Sequence, residues 1–214
     1  MNIKYKIIFC SPIKSENQIK YSQDNFFYFG SNSINKKNVF NLQLNDCYEN
    51  LALKMLLGYQ QLNNLDFDYV FKFDSDTYLN LENITKINLE DSNYGFICEG
   101  NTFKKPQYNK LPLKIDTKFP LGGGYILTKQ TVNILSQKKY EDIVRDQIKN
   151  NICTFEDVMV GKIIQENKLP LINNGYWIDK SKWCYSSCFD IFYHSTNEIP
   201  EPDIKKIIKY LKRK

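Results

Sequence analysis

The sequence predicts an α/β domain built on a largely parallel sheet. Short apolar runs alternate with stretches of helical periodicity, the pattern of a sheet flanked by helices. One such run, "YVFKFDSDTYLN" (69–80), is apolar from Tyr69 to Phe73 apart from Lys72 and then ends in acids, as a buried strand does where it leaves the core. The length, 214 residues with 42% hydrophobic and 25% charged side chains, suits one domain with a full core.

Taken in order, residues 4–10 and 26–29 ("FFYF") are strand-like. Residues 45–63 are predicted as a long helix, because Leu51, Met55, Leu56, Tyr59 and Leu62 recur at helical spacing. Residues 69–74 form a strand and 80–87 a short helix. Strands follow at 94–98 and 124–127, then helices at 129–137 and 155–166. The end, "EPDIKKIIKYLKRK", is predicted as a helix opened by Pro202, with Ile204, Ile207, Ile208 and Leu211 on one face and lysines on the other. That helix either packs its apolar stripe on the domain or lies on an anionic membrane; packing is the reading preferred here. Two stretches resist assignment. Residues 101–120 hold three prolines, and their lysines Lys104, Lys105 and Lys110 either close over an anionic ligand or are simply solvated. Residues 173–187 are rich in aromatic and polar groups, including Tyr176, Trp177, Trp183 and Tyr185, which stack on a sugar or fill core.

Composition narrows the function classes. The longest apolar runs fall far short of the ~20 residues that span a bilayer. The N-terminal "MNIKYKIIFCSP" has too short an apolar core for a secretion signal, so a cytoplasmic protein is expected. Net charge is +5, nearly all of it lysine, with Arg145 and Arg213 the two arginines; this argues against nucleic-acid binding. The six cysteines follow no metal-binding rhythm and are expected as free thiols.

The acids carry the chemistry. Ligands of open α/β sheets bind beyond the carboxyl ends of the strands, where Asp74 and Asp76 fall. Side chains two apart in an extended segment point the same way, so the two carboxylates converge. A divalent cation relieves their repulsion and offers open positions to phosphate oxygens. Three other readings stand beside this one. Asp76 caps a following helix while Asp74 makes a turn bond. Alternatively, "FDSDT" resembles the first motif of haloacid-dehalogenase-like phosphatases, in which Asp74 would be the nucleophile and Asp76 the general acid/base. Lastly, the fold serves a non-catalytic sugar-binding protein.

Four stretches together resemble the β-1,3-galactosyltransferase-like and Fringe-like glycosyltransferases. "FNLQLNDCYENLALKMLLGY" (40–59) is similar to that family's D-F-x-D-S-Y-x-N-L-T-x-K-T segment through Leu44, Asp46, Tyr48, Asn50, Leu51 and Lys54. "YVFKFDSDTYLN" resembles Y-x-x-K-x-D-D-D-x-F-x-N, with Lys72, Asp74, Asp76 and Asn80 in place and Ser75 for the middle acid. "FPLGGGYILT" (119–128) resembles P-x-x-x-G-G-G-Y-x-L-S, and "FEDVMVG" (155–161) resembles E-D-V-x-x-G. The order and spacing of all four agree.

The resemblance implies a single GT-A domain over residues 1–214, with a nucleotide-binding half to about residue 100 and an acceptor-binding half after it. It implies inverting transfer of a hexose from a UDP-sugar to a glycan or glycoconjugate, with Mn²⁺ or Mg²⁺. Asp157 would be the base, with Glu156 the fallback; one of these acids or Thr154 is otherwise a helix cap. Asp76, Asp74 and His194, the single histidine, would hold the metal. Lys72, Asp74 and the run Gly122, Gly123, Gly124 would meet the donor, the glycines through close backbone approach. The family's N-terminal arginine-containing segment has no clear match here; "NQIKYSQ" (17–23), with Lys20, is the stretch that stands in its place. Familiar members carry a Golgi anchor helix; without one, a viral or bacterial cytoplasmic enzyme is expected.

Overall fold

A computed structural model describes residues 5–31, 34–45, 47, 50–75, 77–79, 81, 88–99, 117–150, 154–173 and 192–194. The elements run β1 (Ile7–Pro12), a short 3-10 turn (Glu16–Gln18), β2 (Phe26–Gly30), β3 (Val39–Asn41), α1 (Leu51–Leu62), β4 (Tyr69–Phe73), β5 (Thr77–Leu79) and β6 (Asn93–Glu99). They continue with β7 (Lys118–Thr128), α2 (Lys129–Leu135), α3 (Lys138–Lys149), α4 (Glu156–Glu166), β8 (Leu171–Asn173) and β9 (Phe192–His194). Seven strands form one sheet in the order β3-β2-β1-β4-β7-β6-β8, and β5 pairs with β9 in a separate ribbon. β1 to β4 run parallel, β7 is antiparallel to both of its neighbours, and β6 runs parallel with β8. The predicted α/β class with a mostly parallel sheet is therefore present.

Strand alternation divides the core in two. Ile8, Cys10, Val70, Tyr125 and Leu127 face one side, where they pack with Met55, Leu56 and Tyr59 of α1, Val132 of α2, Val144 of α3 and Val160 of α4. Phe9, Tyr69, Phe71, Phe73 and Ile126 face the other, among Phe26, Tyr28 and Tyr94. That second face is aromatic: Phe9 stacks on Phe26 at 4.4 Å and meets Phe71 edge-on at 5.2 Å. Lys72 falls on the helix side of β4, a strand buried along its whole length. Among the described residues no helix is long and apolar enough to cross a membrane.

Several boundaries differ from the expectation. The first strand ends at Pro12 rather than Cys10; a proline at a strand end forfeits no central ladder bond. The helix expected from residue 45 begins at Leu51. Before it the backbone closes turns instead, Cys47 N–H to Asn45 O at 3.0 Å and Asn50 N–H to Cys47 O at 3.2 Å, while the Asn50 amide donates to Asn45 O at 2.9 Å. Asparagine side chains of this kind compete with helix formation. β7 extends back to Lys118, through a proline and three glycines that argue locally against a strand. β3, β5, β8, β9 and α3 were not anticipated. The expected helices at 80–87 and at the C-terminus lie outside the described residues, Leu81 excepted, as do residues 101–116 of the proline-containing stretch and nearly all of the aromatic one. Cys10, Cys47 and Cys98 are free thiols.

Candidate active site

β4 is extended and its last residue, Phe73, sits opposite Gly124 of β7. The chain then turns: Asp74 N–H donates to Gly123 O at 3.2 Å, and Thr77 N–H returns to Asp74 O at 2.8 Å. The Thr77 hydroxyl also donates to Gly123 O, at 2.8 Å. The acid-bearing loop is thus fastened to the glycine run. That run is a local departure from sheet geometry. Pairing with β6 steps from Gly95 opposite Tyr125 to Ile97 opposite Pro120, so β7 carries its glycines in an irregularity that bends it.

Lys72 lies at the centre of the site. Its side chain is wholly buried, and Nζ donates to Asp74 Oδ1 at 2.6 Å and to the Gly122 carbonyl. Glu156 Oε2 stands 3.5 Å away, and the ring of Tyr125 lies 5.3 Å from the ammonium. Burial alone would lower the Lys72 pKa, but Asp74 and Glu156 outweigh it and hold the ammonium above its ordinary range. Glu156 is itself buried at the start of α4, and its Oε1 accepts from the Tyr125 hydroxyl. Tyr125 and Tyr59 share a hydrogen bond of 2.8 Å between their hydroxyls. Burial is the largest influence on Glu156 and raises it, Lys72 pulls it down, Asp157 pushes it up, and the balance stands at about 7.

The next residue turns the other way. Asp157 is half-buried; its Oδ2 accepts from Gly122 N–H at 3.2 Å and its Oδ1 from Val158 N–H at 2.9 Å. Its pKa is raised, chiefly by burial, against the pull of these amides and of Lys72. A Cβ on Gly122 would come 3.2 Å from Asp157 Oδ2, so the glycine admits this carboxylate. The expected cap at the start of α4 is not formed by Glu156 or Thr154. The N-cap position is Phe155 with no side-chain cap; Glu156 is engaged with Tyr125 and Lys72, and Thr154 with Gln147.

The upstream segment reaches the same loop. Gln18 Nε2 donates to Ser75 Oγ at 3.1 Å, Lys20 Nζ to Thr77 O at 3.4 Å, and Leu79 N–H to the Tyr21 hydroxyl at 2.8 Å. The serine in the middle of the acid motif thus has a definite partner. In the sequence "NQIKYSQ" is only a stand-in for a family segment without a clear match, and it does not say which residue meets what. Tyr59 and Tyr125 were not singled out as site residues. Their one signal was Lys72 itself, since a lysine in a buried strand requires a buried acceptor.

The metal set is only partly described. Asp76 lies outside the described residues, and His194 is described through its strand: β9 runs antiparallel to β5 with His194 opposite Thr77. That pairing brings the backbone of the single histidine next to the acid loop. Among the described residues alone, no three His, Cys, Asp or Glu side chains group as a metal site. Carboxylate and imidazole donors are of the kind that suit Mn²⁺.

Comparison with known proteins bears on the fold and the family. The sequence profile described as "Galactosyltransferase" matches residues 32–175. Among solved structures, the chain is similar to a glycosyltransferase involved in the glycosylation of the major capsid of PBCV-1. The TM-score is 0.53 at 15% identity, over 96% of this chain and 99% of that one. The shared architecture is of the GT-A type. No curated protein sequence matches significantly.

Proposed function

This chain belongs to the galactosyltransferase family, and we propose that it moves a hexose from a UDP-sugar to a hydroxyl of a glycan or glycoconjugate, with inversion at the anomeric carbon. The observation that carries the proposal is a convergence. Asp74, the glycine run and Asp157 meet at one end of the sheet, tied by Lys72 and by the Gly122 amide. The phosphatase reading does not survive the family assignment.

Inverting transfer requires a base on the face opposite the leaving diphosphate, and no covalent nucleophile. Asp157 takes that role: it is half-buried, fixed by two backbone amides, and adjacent to the glycine run against which the donor sugar would lie. Glu156 does not, because both of its oxygens are engaged inside the core. Asp74, Asp76 and His194 would hold Mn²⁺, which would neutralise charge developing on the diphosphate. The half to about residue 100 would take the nucleotide and the later half the acceptor.

Calorimetry with UDP, with and without Mn²⁺, is the direct test. Binding that needs the metal and disappears in Asp76→Ala supports the donor site. Asp157→Asn is expected to bind UDP–Mn²⁺ as the parent does while transfer falls by at least ~10²-fold. Glycan binding that ignores Mn²⁺ and survives Asp76→Ala would point instead to a sugar-binding protein without catalysis.

A further inference from the structure

We propose that Lys72 is a positioning residue that sets the metal-side carboxylate and the catalytic base in register, with Glu156 as its buried partner. The proposal rests on the transferase reading above. A lysine beside the acids of a nucleotide-sugar site would ordinarily be assigned to the diphosphate. Here it is wholly buried, and its ammonium is already engaged by Asp74, Glu156 and the Gly122 carbonyl.

An ammonium has three N–H donors. Lys72 meets three acceptors, each from a different segment: Asp74 Oδ1 at the end of β4, the Gly122 carbonyl on β7, and Glu156 Oε2 at the start of α4, the last and longest at 3.5 Å. Gly122 then holds Asp157 through its own N–H. An unbroken path runs from Asp74 through Lys72 and Gly122 to Asp157. Tyr125 fixes the other oxygen of Glu156, and Tyr59 fixes Tyr125, so the aim of Glu156 at Lys72 is set from the core. Strand pairing places β4 beside β7, and Gly161 seats the body of α4 on β7; the first turn of α4 is joined to the acid loop through Lys72. The ammonium ties all three together.

The experiment compares the parent with Glu156→Gln and with Lys72→Met/Glu156→Gln. The double change removes the ammonium together with its fully buried partner, so only the part-exposed Asp74 is left without it. Folding is followed by thermal melting, UDP–Mn²⁺ affinity by calorimetry, and kcat separately from the donor KM. Glu156→Gln is expected to leave affinity and donor KM within about threefold of the parent while kcat falls at least tenfold. In the double variant kcat falls about 10²-fold, the cost of displacing reacting groups by about an ångström. A kcat within threefold of the parent in folded Glu156→Gln overturns the proposal and leaves the transferase reading standing. A loss confined to donor KM in the double variant also overturns it, because Lys72 would then touch the donor. If the double variant does not fold, the single one decides. A parent protein that neither binds UDP–Mn²⁺ nor transfers sugar overturns the transferase reading, and this proposal with it.

Discussion

Glu156 is a carboxyl buried against a lysine and a tyrosine, and its ionisation is coupled to folding. In the unfolded chain it titrates near its ordinary value of 4.5; in the fold, burial raises it to about 7. Between these values the folded state keeps a proton that the unfolded state has released, so rising pH favours unfolding. Wild-type stability relative to Glu156→Gln should therefore decline across this window by about 1.4 kcal/mol per pH unit, about 3 kcal/mol in all, and level off above it. Urea unfolding of both proteins at pH 5 and pH 7.5 measures this; a difference that does not change with pH would contradict the burial argument. The same pair of residues shows what a sequence conveys at this scale. Asp74, Asp157 and Lys72 were legible because their spacing matches a known pattern. Which of two adjacent acids turns inward was not. Successive residues on a helix point about 100° apart, so the packing of α4 on β7 decides that Glu156 enters the core and Asp157 the site.

At the scale of elements, the strongly periodic segments were readable and the irregular ones were not. α1 and α4 follow their apolar spacing, and β4 and β6 their apolar runs. β7 was seen only in its second half, because Pro120 and the glycines speak against a strand when tertiary pairing is unknown. Partners on both sides hold it extended regardless. α3 was overlooked because charge hides its stripe of Tyr140, Val144 and Ile148, of which the first two are buried. The contact between α4 and β7 gives an element-level prediction. A Cβ on Gly161 would fall 2.4 Å from Phe119 Cβ and 2.5 Å from the Lys118 carbonyl, and backbone cannot step aside cheaply. Gly161→Ala should therefore push α4 off the strand and cost about 1–3 kcal/mol, read as a lower urea midpoint with an unchanged slope. Since Asp157 and Glu156 open the same helix, its kcat should fall as well. Parental stability would mean that the helix has room that this packing denies.

For the whole molecule, the site draws on segments from most of the chain. The stretch at residues 15–21 grips the acid loop, β4 and β7 carry its floor, α4 carries Asp157, and β9 returns from beyond β8 to pair with β5. No single element contains the site, so a ligand that occupies it should stabilise the fold as a unit rather than one part of it. A ligand that binds only the folded state adds RT ln(1 + [L]/Kd), about 2.7 kcal/mol at a concentration of 100 Kd. For a chain of this length that corresponds to a rise in Tm of roughly 5–10 °C. UDP and Mn²⁺ together should produce this shift in one cooperative transition, and either alone should produce much less. Asp76→Ala should abolish the shift, and Asp157→Asn should retain it, because the proposed role of Asp157 as base lies in transfer rather than in holding the nucleotide. A shift of equal size with UDP alone would remove the metal from the donor site. A transition that splits in two, with only one part responding, would show that the two ends of the chain do not meet at the site as β5 and β9 require.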